Sequence, residues 1–145
     1  CTDHFIVRTN IFGWNVKPNK ISSAEWIYHS LKNGKEITLF SDYTFSPIYT
    51  ECLGEIIIKL VDMNFIGVIN VGSPTQCSKY EFGNQMAGEF GFNPALINKG
   101  SISDHDFKAS RTSNLTLNNQ KLAHLGIIAP DYRESIKKFK LNKYR

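Results

Sequence analysis

A chain of 145 residues with 41% hydrophobic and 21% charged side chains has the length of one domain and the composition of a globular protein. This excludes a disordered polymer, a collagen-like repeat and a disulfide miniprotein, and no apolar run nears the roughly 20 residues of a membrane-spanning helix. Seventeen basic against thirteen acidic side chains leave a net charge of +4. The excess gathers at Lys137, Lys138, Lys140, Lys143 and Arg145, which read as a solvated basic tail, so neither nucleic acid nor membrane is expected as a partner.

In chain order, residues 4–8 are dense enough in β-forming apolar side chains for a buried strand. A loop over residues 9–15 follows, closed by Pro18. Ser22 and Glu25 have the Ser-x-x-Glu spacing of a capping box, in which each side chain answers a backbone N–H that the first helical turn leaves free. The helix they open carries Ala24, Ile27, Tyr28 and Leu31 on one face and stops at Asn33-Gly34. Residues 36–40 form a short strand, and residues 41–50 a loop holding Asp42 and Pro47. Leu53, Ile56, Ile57, Leu60 and Val61 then make the apolar stripe of the clearest helix in the chain. Residues 66–71 read as a buried strand ended by Gly72. Ser78-x-x-Glu81 is a second capping box, ahead of Phe82, Met86 and Phe90. A short strand is expected within residues 95–102 and an extended stretch over 115–117. Asn118 or Asn119 caps a short helix, and Asp131-x-x-Glu134 a last one carrying Tyr132, Ile136 and Phe139.

Alternating strands and helices give an α/β class. About five helices face only three or four short strands, a set that suits packing on a larger sheet. The chain opens with Cys1 rather than Met and enters its first strand within five residues, so it reads as cut from a longer one. Cys1, Cys52 and Cys77 are odd in number and lack a Cys-x-x-Cys pair, which fits free thiols and a cytoplasmic setting.

No complete catalytic set is visible. Tyr28-x-x-x-Lys32 has the spacing of a dehydrogenase acid–base pair, yet Tyr28 continues an apolar stripe and Lys32 sits where a cation suits the helix dipole, so a structural role is expected. The glycines give neither a dinucleotide loop nor a Walker A spacing. The histidines are scattered, Asp104-His105-Asp106 reads as a polar loop, and no metal is expected.

Four segments in order resemble one family. They are Val7-Arg8-Thr9-Asn10-Ile11-Phe12-Gly13; Leu39-Phe40-Ser41-Asp42-Tyr43-Thr44-Phe45-Ser46-Pro47-Ile48-Tyr49-Thr50; Gly67-Val68-Ile69-Asn70-Val71-Gly72 leading to Ser78-Lys79-Tyr80-Glu81-Phe82; and Arg111-Thr112-Ser113-Asn114-Leu115-Thr116-Leu117-Asn118 with Lys121-Leu122. Together they are similar to the second half of extended short-chain dehydrogenase/reductases, nearest the dTDP-4-dehydrorhamnose reductase type. Ile11 stands where that type often has an aromatic, Asp42-Tyr43 stands for Asp-Gln, and Arg111-Thr112 for Arg-Pro.

The resemblance implies that residues 1–145 are the C-terminal, substrate-binding portion of an NAD(P)-binding Rossmann-type enzyme. The N-terminal half, with the Gly-rich loop and the catalytic Tyr-Lys pair, is absent. It implies substrate contacts from Thr9, Asn10, Ile11, Phe12, Asn15, Asp42, Ser46, Pro47, Thr50 and Arg111, with Thr9 and Asn10 also beside the cofactor and Arg111 near the diphosphate. The expected ligand is a sugar nucleotide. NAD(P) belongs to the intact parent enzyme, with none bound and no turnover by this chain alone; the expected partners are the missing half and, in the parent, a homodimer mate. The alternative is a non-catalytic relative, similar to the regulatory subunit of methionine adenosyltransferase.

Overall fold

The computed structural model describes residues 4–15, 17, 20–104, 109 and 112–144. In chain order its elements are β1 (Phe5–Phe12), α1 (Ser23–Lys32), β2 (Ile37–Phe40), β3 (Thr44–Phe45), β4 (Pro47–Tyr49), α2 (Thr50–Asp62), β5 (Gly67–Val71), β6 (Cys77–Ser78), α3 (Lys79–Phe90), β7 (Ile97–Gly100), β8 (Asn114–Leu115), α4 (Gln120–His124) and α5 (Tyr132–Leu141). The class is α/β with five α-helices, as expected. The strands differ: eight are described, not three or four.

They form three small sheets, ordered β4-β1-β5, β2-β7 and β6-β3-β8. The first two are parallel; in the third, β3 runs antiparallel to β6 and parallel to β8. β1 is the longest strand and the pivot. Its residues 5–9 pair with β5, and Asn10, Ile11 and Phe12 pair with Pro47, Ile48 and Tyr49 of β4. The expected loop over residues 9–15 is therefore strand as far as Phe12, because β4 supplies a partner from inside the expected loop over residues 41–50.

All three capping boxes form. Ser22 Oγ accepts the Glu25 N–H at 3.2 Å while the Glu25 carboxylate accepts the Ser22 N–H at 2.7 Å. Ser78 and Glu81 do the same at 3.1 and 2.7 Å, and Asp131 and Glu134 complete the third box. Ahead of α4 the two asparagines divide the work. Asn118 Oδ1 accepts the Gln120 N–H at 2.8 Å, while the Asn119 amide donates to the Gly72 carbonyl at 2.6 Å.

An aromatic cluster joins the two ends of the chain. Phe12 meets Tyr49, Phe82 and Phe139 edge-on or tilted. Trp14 stacks on Phe139 at 4.1 Å and donates its indole N–H to the Phe139 carbonyl at 2.8 Å. Tyr28 is buried against Trp14, Phe90 and Phe92, which makes it a core residue, while Lys32 is exposed.

Two expected burial patterns are corrected. Helix α2 buries Cys52, Leu53, Ile56 and Leu60, leaving Ile57 half-buried and Val61 exposed, because the line through residues 52, 56 and 60 is what packs against β4 and β1. The first and third expected strands are covered on one face only: Ile6 and Arg8 on β1 and Val68 on β5 are exposed, and Ile6 pairs with Val68.

Cys52 and Cys77 are free and buried. Burial, then the neighbouring Glu81 charge, pushes the Cys77 thiol up to about 12, and burial raises Cys52 as well. The thiolate is the reactive form, so both are chemically quiet. Cys1 lies outside the described residues, as do His105 and Asp106. Basic side chains near the C-terminal end are partly engaged within the fold: Arg133 lies 3.4 Å from Asp131, Lys138 3.3 Å from Glu55 and Lys140 3.8 Å from Glu89. Among the described residues no helix is long and apolar enough to cross a membrane, and no three His, Cys, Asp or Glu side chains gather as a metal site would require.

Candidate functional site

In open parallel sheets, ligands sit beyond the carboxyl ends of the strands. At the carboxyl end of β1 lies a cleft of about 190 Å³. Asn10, Ile11 and Phe12 form one wall; Ser23, Tyr43, Phe45, Lys79, Phe82 and Leu115 complete it. A larger recess of about 310 Å³ around Phe5 and Phe65 opens near the amino end of the same strand, where that rule places no ligand.

The framework behind the cleft is polar and tightly tied. Asn10 Oδ1 accepts the Ser46 N–H at 3.1 Å, Ser46 Oγ accepts the Leu117 N–H at 3.1 Å, and the Ser46 carbonyl accepts the Ser73 N–H at 3.3 Å. Ser46 thus joins β1, the segment after β5 and the segment before α4. It can do so only because Gly72 has no side chain: a Cβ there would lie 2.6 Å from the Ser46 carbonyl oxygen.

Two further anchors hold the rim. Asn15 donates its backbone N–H and its side-chain amide to Glu25 at 2.8 and 2.6 Å. Burial pushes the Glu25 carboxyl up, but the hydrogen bonds from Ser22 and Asn15 outweigh it and leave the pKa below its ordinary value. Asp42 accepts the Ser101 hydroxyl and the Ile102 N–H, at 2.5 and 2.9 Å, and both lower its pKa.

Of the residues expected to touch substrate, Asn10, Ile11 and Phe12 meet in the cleft. Thr9 is the last β1 residue paired to β5, and its hydroxyl is buried without a hydrogen-bond partner. Ser46 and Pro47 are buried behind the cleft wall; Asn15, Asp42 and Thr50 are exposed and do not line it. Arg111 lies outside the described residues.

The family model described as "RmlD substrate binding domain" matches residues 1–144. The chain belongs to that family. The chain is 26% identical over 137 residues to the spore coat polysaccharide biosynthesis protein SpsK of Bacillus subtilis, covering 94% of this chain and 47% of that protein. It is 24% identical over 91 residues to a probable low-salt glycan biosynthesis reductase of Haloferax volcanii, covering 63% of this chain and 30% of that one. Both relatives are thus at least about twice as long as the part matched. In fold, the domain superposes on the dTDP-4-dehydrorhamnose reductase of Bacillus anthracis, solved in complex with NADP, with a TM-score of 0.85 at 22% identity, covering 96% of this chain and 48% of that one. The corresponding reductase of Clostridium acetobutylicum gives 0.84 at 20%, with 97% and 49% covered.

Within this RmlD-type domain, Ser23, Tyr43, Phe45, Lys79, Phe82 and Leu115 line the cleft but were not among the residues the sequence assigned to substrate. Four distant segments bring them together, which no local pattern records. Lys79 alone carried a signal: a cation in the first turn of a helix, directly after its capping serine, opposes the helix dipole.

Proposed function

We propose that this chain is the substrate-binding part of an NAD(P)-dependent sugar-nucleotide reductase, acting in the cytoplasm with a nucleotide-binding and catalytic half outside these 145 residues. The observation that carries this reading is the sheet around the cleft. β4 covers only Asn10, Ile11 and Phe12, and among the described residues no strand pairs with residues 5–9 on that side of β1. A bare strand edge is a ready site for another strand. Ile6, Ile66 and Val68 add an exposed apolar surface beside it. A half that continues the sheet there would bring its own site to the cleft, and a cleft of about 190 Å³ is smaller than the roughly 300–1,000 Å³ of a self-sufficient ligand pocket.

Two observations support a dinucleotide cradle elsewhere than in this chain. The sequence lacks a Gly-rich loop, and Asn10 Oδ1 already accepts the Ser46 N–H. NAD(P) is therefore assigned to the other half, with Thr9 and Asn10 at its border; when bound there it supplies a hydride to a keto-sugar carbon. This chain orients the sugar nucleotide through Asn10, Ile11 and Phe12 and walls the reaction from water with Phe12, Tyr43, Phe45 and Phe82. The relatives are a polysaccharide biosynthesis protein and a probable glycan biosynthesis reductase, which favours this reading over a regulatory one.

The test is turnover. The whole protein should oxidise NADPH or NADH in the presence of a 4-keto sugar nucleotide, and the 145-residue chain alone should not. Reduction by this chain alone, or by neither, would overturn the proposal.

A further inference from the structure

Lys79 is the first residue of α3, and its ammonium lies 3.8 Å from the centroid of the Phe45 ring and 5.8 Å from that of Tyr43. It faces the cleft with Asn10 and Ser23. Three observations set it apart. The dipole of α3 is positive at this end, so a cation there is disfavoured. The acid of the same turn, Glu81, is folded back onto Ser78 at 2.7 and 3.0 Å, and the ion pairs among the described residues leave Lys79 without a carboxylate. Burial, partly opposed by Cys77, lowers its pKa from the ordinary lysine value. The aromatic faces return part of the lost hydration. Lys79 is half-buried, and a partly dehydrated cation with no counter-charge among the described residues is costly unless a ligand offsets it.

We propose that Lys79, its ammonium over the Phe45 ring and facing the Asn10 wall, binds an oxyanion of the substrate in this cleft. Phosphate of a sugar nucleotide and carboxylate of an acidic sugar share this chemistry. The phosphate source rests on the reductase reading above; the oxyanion itself does not. Lysine suits either as a compact point charge.

The experiment is calorimetric titration of the full chain, as wild type, Lys79→Met and Lys79→Arg, with dTDP, thymidine and glucuronate. Thermal melting of each variant runs alongside. Lys79→Met should weaken binding of the anionic probe about 10–100-fold, the size of a charged hydrogen bond, and leave thymidine unaffected. Lys79→Arg should keep most of the affinity. The melting temperature of Lys79→Met should hold or rise, because an apolar side chain replaces a half-buried cation. If glucuronate binds through Lys79 and dTDP does not, the oxyanion site stands and the sugar-nucleotide reading falls. If dTDP binds wild type and Lys79→Met equally, the Lys79 proposal is overturned and that reading stands. If no oxyanion binds the wild type at millimolar concentration, or if Lys79→Met melts lower with unchanged affinities, Lys79 has only a packing role and the proposal fails.

Discussion

The Glu25 carboxylate accepts the N–H groups of Asn15 and Ser22 together with the Asn15 side-chain amide, so one side chain caps α1 and pins the segment that follows β1. Its folded pKa lies below the ordinary value of 4.5. The stability it contributes is therefore complete above that value and is lost as pH falls through the folded pKa. Glu25→Gln should cost about 1–3 kcal/mol at neutral pH. In denaturant titrations the gap between variant and wild type should shrink as the pH drops below 4.5, whereas a constant gap would mean that the charge is not what matters. At this scale the sequence was most legible where the chemistry is local. The spacings Ser22–Glu25, Ser78–Glu81 and Asp131–Glu134 each announced a cap that forms. Asn15 was expected to touch substrate; its bonds to a glutamate ten residues on could not be read from spacing alone.

Among the elements, the segment between β5 and β6 is the most exacting. Gly72 packs against the Ser46 carbonyl and Leu117, and its own carbonyl accepts the Asn119 amide. Gly72→Ala would place a methyl 2.6 Å from that Ser46 oxygen. The crowding should cost about 1–3 kcal/mol, seen as a lower urea midpoint at unchanged slope. An unshifted midpoint would show that the Ser46 turn yields. Helices were legible through their period and caps, though the inner face of α2 turned toward Cys52 and away from Val61. The strands were less so. β3, β4, β6 and β8 are two or three residues long, too short to show alternation, and exist because a neighbour pairs with them.

For the molecule as a whole, the uneven cover of its main sheet matters most. The outer edge of β5 is protected: Lys121 donates to the Val68 carbonyl at 2.8 Å and Asn70 to the Asn118 carbonyl at 3.0 Å. The edge of β1 at residues 5–9 has no such cover among the described residues, and Ile6, Ile66 and Val68 are 51%, 56% and 40% exposed. The isolated chain should bind a dye that reports apolar surface, and should self-associate. Ile6→Lys should reduce both without lowering the melting temperature, as followed by fluorescence and light scattering. A dye-silent monomer would mean that this surface is not a docking face. The α/β class and the order of the family segments were plain in the sequence, but which edge stays open is a property of pairing between segments about 40 to 60 residues apart, where composition is silent.

The contact between Trp14 and Phe139 also constrains how the protein is made. Their hydrogen bond spans 125 residues. At about 5–20 residues per second, ribosomal synthesis leaves Phe12 and Trp14 without their partner for about 6–25 seconds. The aromatic cluster closes only when α5 emerges, so the faces of Phe12 and Trp14 that Phe139 covers stay open to other contacts until then.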